Sequence, residues 1–347
     1  MGDLRATSAS VRRSNVAGFR LIVDGIDISD KARPRLVGLT LTDKRGGEAD
    51  QLDLVLDDSD GRLALPRKGA SVQLALGWLQ GDDVRVGLVD KGRFTVDQVE
   101  WGGPPDTVTI RARSADLTAG FRTRRETSHR DTTLGTIARD IAKRQKLEPR
   151  IAAALESIPV PVLAQHQQSD MALLRQLGRR HDAVATVKDG KLILAPIGRA
   201  ASAGGVALPA LQLLPIHVSD YRYSEEERSA DAGVEARWHD QDKGERHTVA
   251  VGGKGDAGGK PRRLRKVFHS EADAMAAASA AASRAKRAEA SFDVTLKLGR
   301  PDLLPEQPVT PAGFKPTIDA RRWLIAELSH SLDASGLTTK LKLETAA

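Results

Sequence analysis

An alternation of apolar and polar residues from Phe19 to Asp116 constrains the fold of this chain more than any other feature. Successive side chains of a β-strand point to opposite faces of a sheet, so a repeat of two residues predicts half-buried strands. The alternation is clearest in three apolar series: Leu52, Leu54 and Leu56; Val72, Leu74 and Leu76; and Val108, Ile110 and Ala112. Turn-forming residues separate the series at Asp60-Gly61, at Gln80 to Asp83 and at Gly102 to Asp106. About six short strands at this spacing are typical of an antiparallel barrel or sandwich.

The composition suits such a sheet and excludes several other classes of protein. With only six Phe, four Trp and two Tyr, the core must be filled by small and branched aliphatic side chains, which favour sheets. The absence of cysteine excludes disulfides and thiolate metal sites, and it fits a reducing cytoplasm. Met1 to Ala17 lacks the apolar run of a signal peptide, and no membrane span is expected because no stretch of about 18 apolar residues occurs.

The net charge of +7 is modest for a protein dedicated to binding DNA. The densest basic run comprises Arg262, Arg263, Arg265 and Lys266, and no aromatic residue lies within it to stack on bases. We interpret the run as a solvated segment that can face a partner protein. No specific nucleic-acid partner is expected.

After Asp116 the pattern changes to that of a small α+β module. Thr132–Lys146 repeats apolar residues at helical spacing, with Thr132 or Thr133 near its start. A second helix is predicted over Ser169–His181, with Ser169 as its N-cap. The Asp189-Gly190 dipeptide then predicts a tight hairpin turn. The strands joined by this turn are predicted at Ala183–Lys188 and Lys191–Pro196.

The fold class we predict is mainly β with an α+β insert, in which two related antiparallel β-barrel-like domains flank the small α+β module. The predicted boundaries are a flexible N-terminal segment at 1–18, a first β-barrel-like domain at 19–118, the α+β module at 119–200, and a second β-barrel-like domain at 201–347. The second β-domain contains an alanine-rich helix at about 270–290, because alanine has the highest helix propensity.

Two hairpins indicate that the β-domains are related by duplication. Arg93–Val99 followed by Thr107–Ala112 has aromatic, apolar and polar residues in the same order as Arg322–Leu328 followed by Thr338–Leu343. The turns between the strands differ in length. Internal similarity of this kind indicates repeated structural units. Chance similarity between two hairpins of a common type is the alternative.

No sequence motif predicts a catalytic, cofactor-binding or metal site. The glycine-rich stretch before Lys260 is not a P-loop, because Lys254 and Pro261 stand where Gly and Ser or Thr are required. Asp57–Gly61 resembles the start of a calcium loop, but Leu56 would then have to supply the first ligand. A hairpin turn explains these residues better, since Asp and Gly tolerate its dihedral angles.

The eight histidines form no H-E-x-x-H motif and no short-spaced pair on a helix. His239 and His247 could face each other across a hairpin and are the one candidate metal pair, although histidines without a metal are the favoured interpretation. A Gly-x-Ser-x-Gly elbow is absent, and no carboxylate pair stands apart from the other acids. We therefore expect no catalytic residue, no cofactor, no metal ion and no enzymatic activity.

One segment resembles a known family. Gln167–Leu177, followed by Arg180–Ala183 and Val187–Leu192, is similar to the late control protein D family of contractile-tailed phages. In that family a helix with the pattern (E/Q)SD-x-x-(F/L)L-x-x-L precedes a turn and a hairpin containing DGKL. The resemblance extends over about residues 18–345, and its relatives include the valine-glycine-repeat spike proteins of type VI secretion systems. The family commonly has Phe where Met171 or Leu173 stands here, which is a mild departure.

The resemblance implies a structural baseplate hub with two tube domains. Such a hub forms a homotrimer that adapts the sixfold tail tube to the threefold central spike. The implied partners are the central spike protein, the tail tube protein and baseplate wedge proteins, with the tape measure protein as a further candidate. Nothing in the chain resembles the triple-stranded needle of fused spike proteins, so a separate spike is expected. The implied location is a virion or tail-like particle assembled in the bacterial host cytoplasm.

Two alternative functions belong to other classes. A tail protein that binds or degrades the cell wall is the main alternative, since the α+β module could bind carbohydrate. Carbohydrate sites usually expose aromatic side chains, and Phe121 is the one aromatic residue in 119–200. A nucleic-acid-binding module is the second alternative, suggested by the basic net charge and the run at Arg262. Binding of that kind would weaken steeply with salt.

Overall fold

A computed structural model describes residues 12–46, 49–114, 121, 123–188, 190–201, 204–225, 233–240, 243–253 and 260–346. Strands dominate these residues. Antiparallel pairing predominates among the strands. The longer helices lie in the α+β module and in the second β-region. The fold class predicted from the sequence, mainly β with an α+β insert, is confirmed.

The first β-region forms a sheet from the alternating segments that the sequence predicts to be strands. Its strands are β1 (Val16–Val23), β2 (Ile26–Asp27), β3 (Leu36–Lys44), β4 (Gln51–Asp57), β5 (Ser71–Gln80), β6 (Gly87–Gly102) and β7 (Thr107–Ser114), with a short helix α1 (Ser29–Ala32) and a 3-10 turn (Arg33–Arg35) between β2 and β3. They lie in the order β3-β4-β7-β6-β5-β1-β2. Leu52, Leu54 and Leu56 of β4 are buried in the core of this region, as the alternation predicts.

The α+β module contains the predicted helices and hairpin. Its elements are β8 (Arg124–Thr133), α2 (Leu134–Arg144), β9 (Glu148–Ile151), α3 (Ala153–Glu156), β10 (Pro159–Ser169), α4 (Asp170–Arg180), β11 (Ala183–Lys188) and β12 (Lys191–Pro196). The Oγ atom of Thr133 accepts a hydrogen bond from the Thr136 amide at 3.2 Å, and that of Ser169 accepts one from Ala172 at 3.3 Å. Both N-caps are thereby confirmed, as are the strands of the hairpin, whose turn residue Asp189 lies outside the described residues.

The second β-region is interrupted by a smaller layer. Its elements are β13 (Leu211–Leu213), a 3-10 turn (Pro215–His217), β14 (Val218–Glu225), β15 (Val234–Asp240), β16 (Glu245–Val251), β17 (Arg262–Phe268), α5 (Glu271–Arg287), β18 (Ala290–Leu296), β19 (Pro308–Pro311), α6 (Pro316–Asp319), β20 (Trp323–Asp333) and β21 (Gly336–Thr345). β15, β16 and β17 form a separate sheet that packs on the alanine-rich helix α5 with its own core. The helix begins after Ser270, whose Oγ atom accepts from the Asp273 amide at 3.2 Å.

The two β-regions are joined into one sheet. β20 pairs with β21 on one side, while on its other side its start pairs with β19 and its end pairs with β3 of the first β-region. The resulting thirteen-stranded sheet runs in the order β14-β18-β21-β20-β3-β4-β7-β6-β5-β1-β2, with β19 alongside β20 and β13 paired to β19. Within the described residues the sheet is therefore a continuous path with open ends, where the sequence had predicted two barrel-like units.

The duplication predicted from the two hairpins is confirmed in the sheet. The order β3-β4-β7-β6-β5, which we call the first unit, recurs as β14-β18-β21-β20-β19, the second unit. Neighbours within both units are antiparallel. Each hairpin carries a β-bulge at the same place, between Val96 and Gln98 in β6 and between Ile325 and Glu327 in β20.

The registers of the remaining strands also agree between the units. Val72 lies opposite Phe94, and Val309 lies opposite Trp323. The backbone bond from the Val96 amide to the Ala70 carbonyl (2.9 Å) recurs from Ile325 to Gln307 (3.0 Å). An equal strand order with equal bulges and registers makes chance similarity of two hairpins a poor explanation.

Candidate assembly edges

The pairing of β20 with β3, which we call the in-chain junction, joins the second unit to the first. Its register runs from Glu327 opposite Lys44 to Asp333 opposite Gly38. On the core face Leu332 lies opposite Leu39 and belongs to the core of the first β-region. The in-chain junction therefore resembles the interior of a sheet: the two strands are paired through their backbones, and the leucines on one face are buried.

His330 lies fully buried within the in-chain junction, opposite Leu41. Its Nδ1 atom is 2.8 Å from the hydroxyl of Thr339 on the neighbouring strand. Burial, assisted by repulsion from Lys91, lowers the pKa of His330 to about 3. The imidazole is therefore neutral in the folded protein at all but strongly acidic pH.

A buried charge cluster connects the α+β module to the end of β3. The Nζ atom of Lys188 forms ion pairs with Asp43 and, at 3.1 Å, with Asp50. Burial, together with the negative charge of Asp43, raises the pKa of Asp50 to about 6. Burial lowers the pKa of Lys188, but the two carboxylates outweigh it and the pKa is raised. The module is thus anchored by a lysine that stays charged.

A second charge cluster holds the helices against the second unit. The Arg287 guanidinium is almost completely buried and donates to Asp182 at 2.7 Å, while its Nε lies 3.2 Å from Glu344. Arg45 forms ion pairs with Glu306 and, at 2.6 Å, with Glu344. Burial raises the pKa of Glu306. Since every carboxylate here has an arginine partner, the cluster is suited to holding elements together.

Several strand edges of the sheet are open among the described residues, including that of β2 at one end of the strand path, and two of them are long, β14 and the end of β6. β14 ends the strand path and pairs only with β18, so its outer edge has no partner strand. The last part of β6, from Gln98 to Gly102, pairs with β7 on one side, whereas β5 reaches only as far as Thr95 on the other. Both edges carry exposed aromatic residues, with Trp101 58% and Tyr221 57% exposed. Open edges of this kind are templates for pairing with another chain.

The candidate metal pair predicted from the sequence is not formed. In the hairpin of β15 and β16, His247 lies opposite Trp238, and His239 lies opposite Arg246. The shift of one residue turns the two imidazoles to opposite faces, because side chains alternate along a strand. Within the described ranges, no group of three or more His, Asp or Glu side chains lies together so that it could hold a metal ion.

The acidic segment Asp57–Gly61 forms a turn, but the prediction of a hairpin is wrong. The Gly61 amide donates to the Asp58 carbonyl at 2.8 Å, and the strand that follows, β5, is not a neighbour of β4. All three carboxylates are occupied: Asp57 accepts from the Ser59 amide at 3.1 Å, Asp58 from the Leu63 amide at 2.8 Å and Asp60 from Arg35 at 2.8 Å. These contacts stabilise the loop itself. The glycine-rich stretch at 254–259 lies outside the described residues.

The basic run is part of a strand, which the sequence interpretation missed. Arg262 to Lys266 belong to β17, which pairs in parallel with β15. Arg263 donates to Glu235 at 3.0 Å, and the Nζ atom of Lys266 lies 5.7 Å from the centre of the Phe268 ring. The alternation of Leu264 with charged neighbours was the available signal, but the run of positive charges obscured it. Part of the basic run is therefore paired within the protein.

The α+β module offers no exposed aromatic platform for a sugar. Its one aromatic residue, Phe121, is buried in the module core with leucines of α2 and α4. Among the described residues, moreover, no helix is both long and apolar enough to span a membrane.

Comparison with known proteins places this two-unit sheet, braced by helices, among the structural proteins of phage tails. The model of the phage tail baseplate hub (GPD) family matches residues 51–336. A probable baseplate hub protein of Escherichia phage 186 is 40% identical over 363 residues, which cover 94% of this chain and 92% of that protein. The probable baseplate hub protein of Escherichia phage P2 is 37% identical over 362 residues, with the same coverage of 94% and 92%.

Solved tail proteins share the fold at low sequence identity. The 43 kDa tail protein of prophage MuSo2 from Shewanella oneidensis has a TM-score of 0.66 at 15% identity, covering 94% of this chain and 96% of that one. A tail protein from Neisseria meningitidis MC58 has a TM-score of 0.67 at 12% identity, with the same coverage of 94% and 96%. The E. coli c3393 protein, a component of the type VI secretion system, has a TM-score of 0.57 at 11% identity and covers 90% of this chain and 74% of that one.

The chain belongs to the phage tail baseplate hub (GPD) family. It is a baseplate hub protein of a phage tail, located in the baseplate of a virion or tail-like particle. The resemblance carried by the helix after Ser169 and by the following hairpin is thereby confirmed.

Proposed function

We propose that this hub protein forms a homotrimer in which three chains supply six similar β-units to a ring. Such a ring would present sixfold pseudosymmetry to the tail tube and threefold symmetry to the central spike. The observation that carries the proposal is the repeat of one five-strand unit within a single chain. Closed rotational symmetry is the usual form of oligomers.

The in-chain junction supports the proposal because it already joins one unit to the next through paired strands. Because the two units of one chain are already joined, one edge of each stays open: β14 in the second unit and the end of β6 in the first. Three chains placed in a ring would bring these edges together. An obligate interface of this kind buries roughly 2,000–5,000 Å².

The partners we propose are the central spike protein, the tail tube protein and baseplate wedge proteins, with the tape measure protein as a further candidate. The chain acts by assembly and not by catalysis. The charge clusters support this role, because their carboxylates are held by Arg45, Arg287 and Lys188 and link the module and helix α5 to the sheet. A braced sheet suits a part that bears load when a tail contracts.

Sedimentation velocity of the recombinant chain, combined with electron microscopy, tests the trimer. We expect a species of three chains at micromolar concentration and ring-shaped particles with threefold views. A folded monomer at that concentration, with a sheet-type circular dichroism spectrum, would overturn the proposal. A denaturant titration on the same sample shows whether a monomer is folded.

A further inference from the structure

The in-chain junction specifies how any second unit can join a first unit. It pairs the end of β20 with β3 so that Ser329 lies opposite Thr42, His330 opposite Leu41 and Ser331 opposite Thr40. The registers within the two units establish which residues are equivalent. Through the shared bulge, β20 residues correspond to β6 residues, so that Ser329 is equivalent to Glu100.

The same comparison relates β3 to β14. Leu41 lies opposite Leu52 of β4, and Tyr223 lies opposite Phe292 of β18. Leu52 and Phe292 in turn lie opposite equivalent residues of the hairpins, Ala112 and Leu343. Tyr223 of β14 is therefore equivalent to Leu41 of β3, and Ser224 is equivalent to Thr42.

We infer that β14 of one chain pairs antiparallel with the end of β6 in a second copy of this chain, in the register of the in-chain junction. Glu100 then lies opposite Ser224 of the neighbouring copy, Trp101 opposite Tyr223, and Gly102 opposite Arg222. The inference rests on the proposed trimer, since repetition of this contact around a ring of three chains leaves neither edge open.

Both strands are available for this pairing. Among the described residues the outer edge of β14 and that of Gln98–Gly102 lack a partner strand, and backbone groups at such edges need one. Arg222, Ser224 and Glu100 are exposed, so that a second chain can approach without displacing them from a core. The outer edge of β14 is open along the strand, and such an edge is a template for pairing with another chain.

The side chains on the two edges are complementary in the inferred register. On one face, Trp101 would lie against Tyr223 of the neighbouring copy and near its Tyr221, and aromatic cross-strand pairs stabilise sheets. On the other face, Glu100 would lie diagonal to Arg222 of the neighbouring copy. In the in-chain junction this second face carries the contacts of Lys44 with Glu327 at 4.0 Å and of Thr42 with Ser329 at 3.5 Å.

Disulfide cross-linking tests the register directly, because the chain has no cysteine of its own. In the Gly102→Cys/Arg222→Cys variant, the two thiols would face each other between copies. A Cβ atom added at Gly102 meets no atom within 4 Å, and Arg222 is exposed, so the substitutions are compatible with the fold. On mild oxidation we expect the single-chain band of a denaturing gel to shift to a band of three chains, and reduction to reverse the shift.

Three matched variants control for accidental cross-linking. Thr40→Cys/Ser331→Cys places the same pair in the in-chain junction, where oxidation should consume both thiols without forming a larger band. Trp101→Cys/Arg222→Cys puts the thiols on opposite faces of the sheet, so no three-chain band is expected. Each single-cysteine variant should likewise give no three-chain band. A second pair, Glu100→Cys/Ser224→Cys, tests the same register at an independent position.

The outcomes separate this inference from the proposed trimer when sedimentation is measured on the same samples. Trimers that cross-link in both interchain pairs support the register. Trimers that fail to cross-link in both pairs, while the in-chain control oxidises, overturn the register and leave the trimer standing. Folded monomers that do not cross-link overturn both.

Discussion

His330 shows what a single residue contributes at the contact between the two units. The imidazole is fully buried beside Leu41 of β3 and bonds the hydroxyl of Thr339. Burial and the repulsion from Lys91 outweigh the attraction of Asp302 for a charged imidazole, and the pKa is therefore lowered. The in-chain junction therefore depends on this histidine remaining neutral.

Acid should weaken the fold through His330, and His330→Gln should remove that part of the pH dependence. In the unfolded chain the histidine takes up a proton near pH 6.5, whereas in the folded chain it stays neutral down to about pH 3. Its contribution is thus complete above pH 6.5 and is lost progressively as the pH falls toward 3. Between pH 6.5 and 4.5 we expect wild-type protein to lose about 2–3 kcal/mol more unfolding free energy than the variant. Urea titrations of both proteins at both pH values measure these losses of unfolding free energy. Other titrating groups contribute equally to the two proteins, so their effect cancels in the comparison. Equal losses in the two proteins would contradict the prediction.

At the scale of elements, local signals in the sequence were sufficient where an element carries its own pattern. The starts of α2 and α4 were predicted because Thr133 and Ser169 supply capping hydroxyls to the first turn. The strands of the first unit were predicted because a half-buried strand must alternate. The repeat was predicted because equivalent residues of the two hairpins face the cores of their units and therefore have similar side chains.

Elements stabilised by distant partners were not predictable in the same way. β8 has the sequence RRETSHRDTT, which offers no apolar alternation, and it exists as a strand because it pairs with β10. β17 is stabilised by β15 and packs on α5, so the strand was missed in its charged sequence, although the four basic side chains are exposed as the sequence interpretation expected. The junction of β3 with β20 joins strands near the two ends of the chain. The local sequence of neither strand identifies the other as its partner.

Helix α5 should depend strongly on Arg287, which connects its last turn to Asp182 and Glu344. Arg287→Ala removes the closest cation of Asp182 and leaves Glu344 with Arg45 alone, in a poorly solvated place. Loss of one partner from a buried ion pair costs roughly 3–5 kcal/mol, so we expect unfolding free energy to fall by about 3 kcal/mol. Arg263→Ala is the matched control, since Arg263 pairs with Glu235 but is well exposed, and it should cost less than about 1 kcal/mol. Similar losses for both variants in denaturant titrations would show that Arg287 has no special role.

At the scale of the whole molecule, the junction within a chain and the inferred junction between chains are not identical. Leu332 and Leu337 enter the core of the first β-region at the in-chain junction. The residues equivalent to them in the first unit are Gly103 and Asp106, which cannot fill a core in the same way. The contact between chains must then rely more on the aromatic and charged residues of its edges. Two alternating kinds of junction are what distinguishes a threefold ring of paired units from a true sixfold ring.

Charge at Ser224 should therefore control trimer formation. Ser224 is exposed and would lie directly opposite Glu100 of the neighbouring copy, so Ser224→Glu creates a like-charge pair and Ser224→Lys an opposite-charge pair. Both substitutions remove the same contact with Ser291 (2.7 Å), which cancels when the two variants are compared. Directly opposed charges contribute roughly 0.2–1 kcal/mol each way, so the variants should differ by about 1 kcal/mol at each junction. A closed ring of three chains repeats this junction three times, which makes the trimer association constant of the lysine variant about 100-fold larger. Sedimentation equilibrium at low salt measures the two constants. In a Glu100→Gln background the difference should vanish, and a difference that persisted there would show that Ser224 faces some other charge.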